Sequence, residues 1–366
     1  MENDIWQMQY LAKEKGYSST SDTVLLDLPK NEQISYIVVE YKVGAGTDKD
    51  VDHSVLDAVT KVEVILEGSK VAYSMEPEMG SFIEFITKKM LPEHDIRHNR
   101  GDTVMRLTIP FGRFLKDPEY MLDTGLYASA QLQISYLNAA ATEDVDSGVI
   151  TAYYVRPVEK RAPLGFIRSR IIRTETVPAA GGEREYDLPV GLDWLNLGFR
   201  VFDYDEYPYS NVTDVKLDID DGRLILFEGR FEELMTLQRM WYPHPVGYNI
   251  NSRAADDDEL ETLLGINENC LFNVFGSACY MAQFDSFRGH HVDLKLQSAS
   301  GTAVSSDCNL LYHGVGYLPH GGVVVGNFEK DIFPASTHNE AKLVLTCGTQ
   351  QPLIQVFLQE VVKGSL

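Results

Sequence analysis

Two stretches of this chain alternate apolar and polar positions in the same way. In VTKVEVILEGSKV, which starts at Val59, Val62 and Val64 alternate with Lys61 and Glu63 up to a turn at Glu67–Gly68, after which a second strand follows. In VTDVKLDIDDGRL, which starts at Val212, Val215, Leu217 and Ile219 alternate in the same manner up to Asp220–Gly222. A period of two with β-branched residues predicts strands, and the acidic, glycine-containing turns make each stretch a β-hairpin. Upstream of both stands Asp-Leu-Pro, at Asp27–Pro29 and at Asp187–Pro189, and each copy leads into a strand-like run, ISYIVVEYKV or LNLGFRVFDY.

After each hairpin the period becomes helical. SFIEFITKKM sets Phe82, Phe85, Ile86 and Met90 on one face, and RFEELMTLQRM sets Phe231, Leu234 and Met235 on the corresponding face. With Phe82 placed on Phe231, the segments also share Glu84/Glu233 and Thr87/Thr236. Further on, LTIPFG (107–112) has a looser partner in GYLPHG (316–321). Each leads past an aspartate, Asp117 or Asp331, to an alternating strand, AQLQISY or AKLVLTC, and each half closes on VITAYYVRP or LIQVFLQEVV. A fixed order of elements kept in both halves marks an internal repeat.

The predicted fold class is therefore all-β with short inserted helices, as two tandem jelly-roll β-sandwiches. Residues 1–19 form an N-terminal arm or short helix, 20–160 the first roll and 161–366 the second, joined by VEKRAPLGFIRS. An insertion at about 241–286 lengthens the second half and carries a loop and a short helix behind its Asp run. A doubly wound α/β fold fits poorly, because helices do not alternate with strands. In NDIWQMQYLAKEK the spacing of Ile5, Met8 and Leu11 predicts a short amphipathic helix, with a frayed terminus as the alternative.

Composition narrows the function. A chain of 366 residues with 44% hydrophobic content suits two folded domains. The net charge of -22 argues against a general or sequence-specific nucleic-acid binder, which needs clustered cations facing phosphate. No apolar run is long enough for a membrane-spanning helix, and the acidic start does not read as a signal peptide. Cations do gather at Arg156, Lys160, Arg161, Arg168, Arg170 and Arg173, which reads as a solvated linker flank, with a patch for an anionic partner as the alternative. The four cysteines, Cys270, Cys279, Cys308 and Cys347, lack disulfide-framework or zinc spacing and read as small buried apolar residues.

Candidate chemistry is sparse. His291 and Asp293 share a strand face in GHHVDLKL while His290 points away, and a zinc site needs further ligands; Cys279 is too distant in sequence to supply one. The carboxylate runs Asp203–Tyr209 and Asp256, Asp257, Asp258, Glu259 and Glu261 lack the twelve-residue calcium-loop grammar, leaving weak interfacial Ca²⁺ as the single ion to consider and a solvated acidic loop as the default. No G-x-S-x-G, H-E-x-x-H or phosphate-loop motif occurs, and His53, His94, His98, His244, His313, His320 and His338 are scattered. No catalytic or cofactor-binding residue is assigned and no cofactor is expected; metal ligands stay open. Asn-Val-Thr at Asn211–Thr213 is a formal glycosylation acceptor at the start of the repeated strand.

The two segments VTKVEVILEGSKVAYSM…FIEFITKKM and 212–240, together with IPFGRFLKDPEYMLDTGLYASAQLQISY, resemble the double jelly-roll major capsid proteins of icosahedral double-stranded DNA viruses, the lineage of tectiviruses and adenoviruses. The length resembles the smaller members from bacterial and archaeal viruses. The resemblance implies a structural, non-enzymatic protein of the virion shell, whose rolls stand side by side so that a homotrimer offers six near-equivalent edges. It implies neighbouring capsomers, vertex or minor capsid proteins, and an internal membrane met by the N-terminal arm as partners, with 241–286 as a tower or clamp. Two alternatives remain. One is a tandem jelly-roll enzyme on glycans, an amidase or glycosidase, with Trp194, Trp241 and Tyr242 at a cleft between the halves; the other is a carbohydrate- or receptor-binding virion protein.

Overall fold

The computed structural model describes residues 5–17, 21–45, 59–88, 103–137, 145–202, 211–234, 237, 315–319, 332–349 and 351–364, with two-residue strand pieces at Leu260–Glu261, Leu271–Phe272, Ala282–Gln283 and Asp293–Leu294. The first half contributes β1 (Trp6–Tyr17), β2 (Ser21–Asp27), β3 (Tyr36–Ala45), β4 (Val59–Leu66), β5 (Lys70–Met75), helix α1 (Pro77–Lys88), β6 (Thr103–Pro110), β7 (Ala130–Leu137) and β8 (Val145–Pro157). The second half repeats them as β9 (Gly165–Thr176), β10 (Gly182–Asp187), β11 (Asp193–Phe202), β12 (Val212–Ile219), β13 (Leu224–Arg230), β14 (Val315–Pro319), β15 (Ala341–Cys347) and β16 (Leu353–Lys363).

The strand pairings are those of two jelly rolls. In the first roll one sheet runs β1-β8-β3-β6 and the facing one β2-β7-β4-β5; in the second the sheets run β9-β16-β11-β14 and β10-β15-β12-β13. Position for position the two orders are the same. The hairpins agree in finer detail. β4 and β12 share one burial pattern, and each hairpin breaks register at the equivalent place, between Val64 and Ile65 and between Leu217 and Asp218. The second turn is one residue longer, and left-handed backbone at Glu67 and Gly68 in one, and at Asp220, Asp221 and Gly222 in the other, closes both.

Each roll has its own apolar interior. Ile37, Val39, Tyr41, Leu107, Leu132 and Ile134 centre the first, and Leu197, Phe199, Leu217, Leu343 and Val356 the second. α1 packs on β6, and its Glu84 accepts hydrogen bonds from the Thr108 N–H (2.7 Å) and hydroxyl (2.8 Å), which closes that exposed sheet edge. In the second copy residues 231–234 are helical, with Phe231 ring to ring against Phe199 at 5.1 Å. Met90, Met235 and Thr236 lie outside the described residues, as does 241–286 apart from the short pieces named above.

The N-terminal segment departs from its expected form. Residues 6–17 are a full strand of the first roll, in antiparallel register with β8 from Trp6↔Pro157 to Tyr17↔Gly148, and no helix forms around Ile5, Met8 and Leu11. Bulges near Ala12 bend it, and Glu14 adopts φ 49°. The reason lies far off in sequence: without β1, β8 would leave a row of backbone donors and acceptors unpaired, and that demand outweighs a weak helical period. Edge-to-face stacking of Tyr10 on Tyr153 at 6.2 Å and the Arg156–Gln7 bond at 3.0 Å fix the register. A membrane-directed helical arm is accordingly absent from residues 6–17. No helix of the described residues is long and apolar enough to cross a membrane.

Candidate functional site: the seam between the rolls

β5 and β9 lie side by side in parallel through Ser169↔Tyr73 and Arg170↔Ser74, which fuses one sheet of each roll into an eight-stranded sheet. The join has a second, face-on part. Along β16, Ile354, Val356 and Leu358 fill the second roll, while Gln355, Phe357 and Gln359 point the other way, toward the first. Phe357 is fully buried and meets Phe82 of α1 edge to face at 5.9 Å, so the first roll's interior continues across the boundary through Phe166, Phe357 and Val362.

Polar groups complete the seam. Gln355 donates to Glu76 at 2.7 Å, and the Arg200 guanidinium stands 3.6 Å from Glu76 and 3.8 Å from Glu78. Gln359 donates to the Ser169 hydroxyl at 3.0 Å and accepts from Asn196 at 2.5 Å. Glu360, 1% exposed, accepts from Arg168 at 2.9 Å and from Arg170 at 2.8 Å and 3.2 Å. Buried polar groups with matched donors and acceptors fix one relative placement of two apolar surfaces, because any slip leaves a desolvated charge without its partner.

The basic run is thus a structural feature of the fold, and its reading as a solvated flank is corrected. Arg168 and Arg170 hold Glu360, Arg156 pairs with Glu32 at 2.9 Å, Arg161 lies 5.1 Å over the Trp6 ring, and Arg173 stands 3.7 Å from Glu175. Lys160 is exposed. Trp194 lines no cleft either: it is 1% exposed, its indole N–H donates to the Pro189 carbonyl at 2.9 Å, and it packs on Phe333 at 5.4 Å. Trp241 and Tyr242 lie outside the described residues, and so do Asp203–Tyr209, Asp256, Asp257, Asp258, Glu259, His290, His291, Cys270, Cys279 and Cys308. The backbone of Asp293 pairs with that of Glu261.

Other predicted residues have structural places. Asp117 is fully buried and binds Arg113 through both oxygens, at 2.7 and 3.0 Å, which raises the Arg113 pKa and pins the loop after β6. Cys347 is buried and unpaired, and burial pushes its thiol up to about 11. Asn211 is buried with 0% exposure, so the Asn-Val-Thr triplet offers no accessible acceptor. Among the described residues, no group of three or more His, Cys, Asp or Glu side chains is placed to hold a metal ion.

His338 has a partner in Asp220, whose carboxylate is 2.8 Å from His338 Nδ1 and accepts from the Asn339 N–H at 2.8 Å, tying the β12–β13 turn to the segment before β15. These bonds, that to His338 first, hold the Asp220 pKa below its ordinary 3.8. The stabilisation is present above 3.8 and is lost as pH falls through the lowered value. Asp220→Asn is expected to shed less stability than the parent between pH 5 and pH 2, read by urea unfolding at several pH values. An unchanged acid limb would contradict the assignment.

No protein-family model matches the chain, and no curated protein matches it. Solved structures do. The STIV major capsid protein is similar with a TM-score of 0.61 at 10% identity, over 98% of this chain and 98% of that one. The major capsid protein P2 from Bacteriophage PM2 gives 0.54 at 10% identity, over 98% of both chains. PBCV-1 VP54 gives 0.56 at 9% identity, over 100% of this chain and 96% of that chain. At such identities the likeness establishes the fold: two tandem jelly rolls, matched end to end.

Proposed function

We propose that this chain is a major capsid protein, a structural subunit that self-assembles as pseudo-hexagonal trimers into the shell of an icosahedral virion. One observation carries the reading: both rolls and the placement of one beside the other match major capsid proteins over almost the whole of each chain. The seam supports it. Fixing two copies of one sandwich rigidly side by side suits a tile that must present regularly spaced edges to its neighbours. The same region opposes the glycan-enzyme alternative, since Phe82, Phe357, Glu76 and Arg200 are packed against one another where a cleft would have to lie. In this reading the chain's role is structural, and neighbouring capsomers with minor or vertex proteins are its partners.

Native mass tests the proposal. Light scattering on a size-exclusion column is expected to give three times the 41.1 kDa chain, or larger shells, and negative-stain images of the peak should show a six-lobed outline. A monomer indifferent to concentration and ionic strength would sink the reading.

A further inference from the structure

The seam uses one open edge of each roll, β5 of the first and β9 of the second. Because the rolls are copies, each keeps open, among the described residues, the edge that its copy has used. β1 is the counterpart of β9, and β13 is the counterpart of β5; both stand at the end of their sheets.

The registers give the correspondence residue by residue. Met8 and Tyr10 oppose Val155 and Tyr153, as Ser169 and Ile171 oppose Gln359 and Phe357. In the hairpins, Val62 faces Met75 as Val215 faces Gly229, which places Phe227, Glu228 and Arg230 where Tyr73, Ser74 and Glu76 stand. On the receiving face, Glu40 opposes Thr151 as Arg200 opposes Gln355, and each is equally far from its Asp-Leu-Pro.

Two independent features then coincide. The first is apolar exposure. Ile5, just before β1, and Met8 and Tyr10 on it are 61%, 50% and 53% exposed, and Leu224 and Ile225 on β13 are 39% and 43% exposed. At the internal seam the counterparts of Ile5 and Met8, Phe166 and Ser169, are buried. The second is charge. Inside the chain Glu76 of the first roll faces Arg200 of the second. At the open edges the signs are exchanged: Arg230, exposed, belongs to the second roll, and Glu40, half-buried and also accepting from Arg106 of its own roll at 2.8 Å, to the first. The two surfaces therefore suit each other without either suiting itself.

We infer that β1 of one chain pairs in parallel with β13 of a second copy, repeating the internal seam between molecules, with Arg230 of one copy meeting Glu40 of the next. The contact is head to tail, and such a contact either closes a ring or grows without end. Closure at three copies rests on the assembly reading above, in which six rolls complete the circle. The pairing also shields both strand edges, which would otherwise template aggregation.

A disulfide across the pair tests this. Gln9→Cys and Glu228→Cys in one chain occupy the positions of the in-chain neighbours Arg170 and Ser74. Oxidation is expected to give covalent dimers and trimers that end at three chains and vanish on reduction, while either single variant gives none. Arg230→Glu, at an exposed position, is expected to weaken self-association roughly a hundredfold, and combination with Glu40→Arg and Arg106→Glu, which keeps the in-chain ion pair with its signs reversed, to restore it. A native trimer that neither cross-links nor responds to Arg230→Glu would overturn the inference and leave the assembly reading standing. Covalent species running past three would overturn the closed ring, and a native monomer would overturn both.

Discussion

Phe357→Ala is expected to cost about 3–5 kcal/mol, the usual range for truncating a buried phenylalanine, and to do so by uncoupling the two halves of the molecule. The ring lies on the face of β16 that turns away from its own roll, and Phe82 of α1 is its aromatic partner across the boundary. Collapse around the missing ring is limited, because Val356 and Leu358 are held by the second roll's interior on the opposite face of the same strand. The cavity would therefore persist, which places the cost toward the upper part of the range. In the parent the shared interior should make both rolls unfold together. In the variant, calorimetry should show a broadened or divided transition, with near-ultraviolet dichroism and far-ultraviolet dichroism no longer coinciding. A loss under about 1 kcal/mol with one sharp transition would mean that the rolls are held by the β5–β9 pairing alone.

That expectation depends on a feature largely hidden in the sequence. The elements were legible where one face of a strand meets an interior and the other meets water: Val62, Val64 and Leu66, and then Val215, Leu217 and Ile219, alternate in sequence and are the residues buried. The repeat order extended that reading through both rolls, except at β1 and β9, which the sequence offered as an arm and a linker. It fails where a strand is covered on both sides. In LIQVFLQEVV the polar residues Gln355, Gln359 and Glu360 interrupt the apolar run, yet each is at most 1% exposed. A polar residue inside an otherwise continuous apolar run is the signal that was available, since strands buried on both faces lose their alternation. The N-terminus fails for the opposite reason. Ile5, Met8 and Leu11 satisfy a helical spacing locally, but the partner that decides their conformation is more than a hundred residues away, as the Glu14–Thr151 bond illustrates with its separation of 137. The open edges share both difficulties, for Arg230 and Glu40 acquire meaning only after each roll's register is known.

Glu360→Gln carries the second large effect, and its size follows from what surrounds the carboxylate. Two guanidinium groups converge on one buried side chain, and the neutral amide would leave both cations facing an uncharged oxygen and an N–H donor that repels them. Breaking one member of a buried ion pair typically costs about 3–5 kcal/mol. Here the lower end, about 3 kcal/mol, is expected, because the Arg168 and Arg170 side chains keep 15% and 31% of their exposure and water relieves part of the imbalance. Replacing all three members is a different experiment. Glu360→Met with Arg168→Met and Arg170→Met removes the charges together, and such exchanges are often neutral or stabilising. Urea unfolding of the two variants separates stability from positioning. If the triple variant matches the parent in stability but assembles with altered size or lower yield, the ion triad serves to set the angle between the rolls. If it is as unstable as Glu360→Gln, the triad contributes net stability, and the angle is fixed by Phe357 and the β5–β9 join.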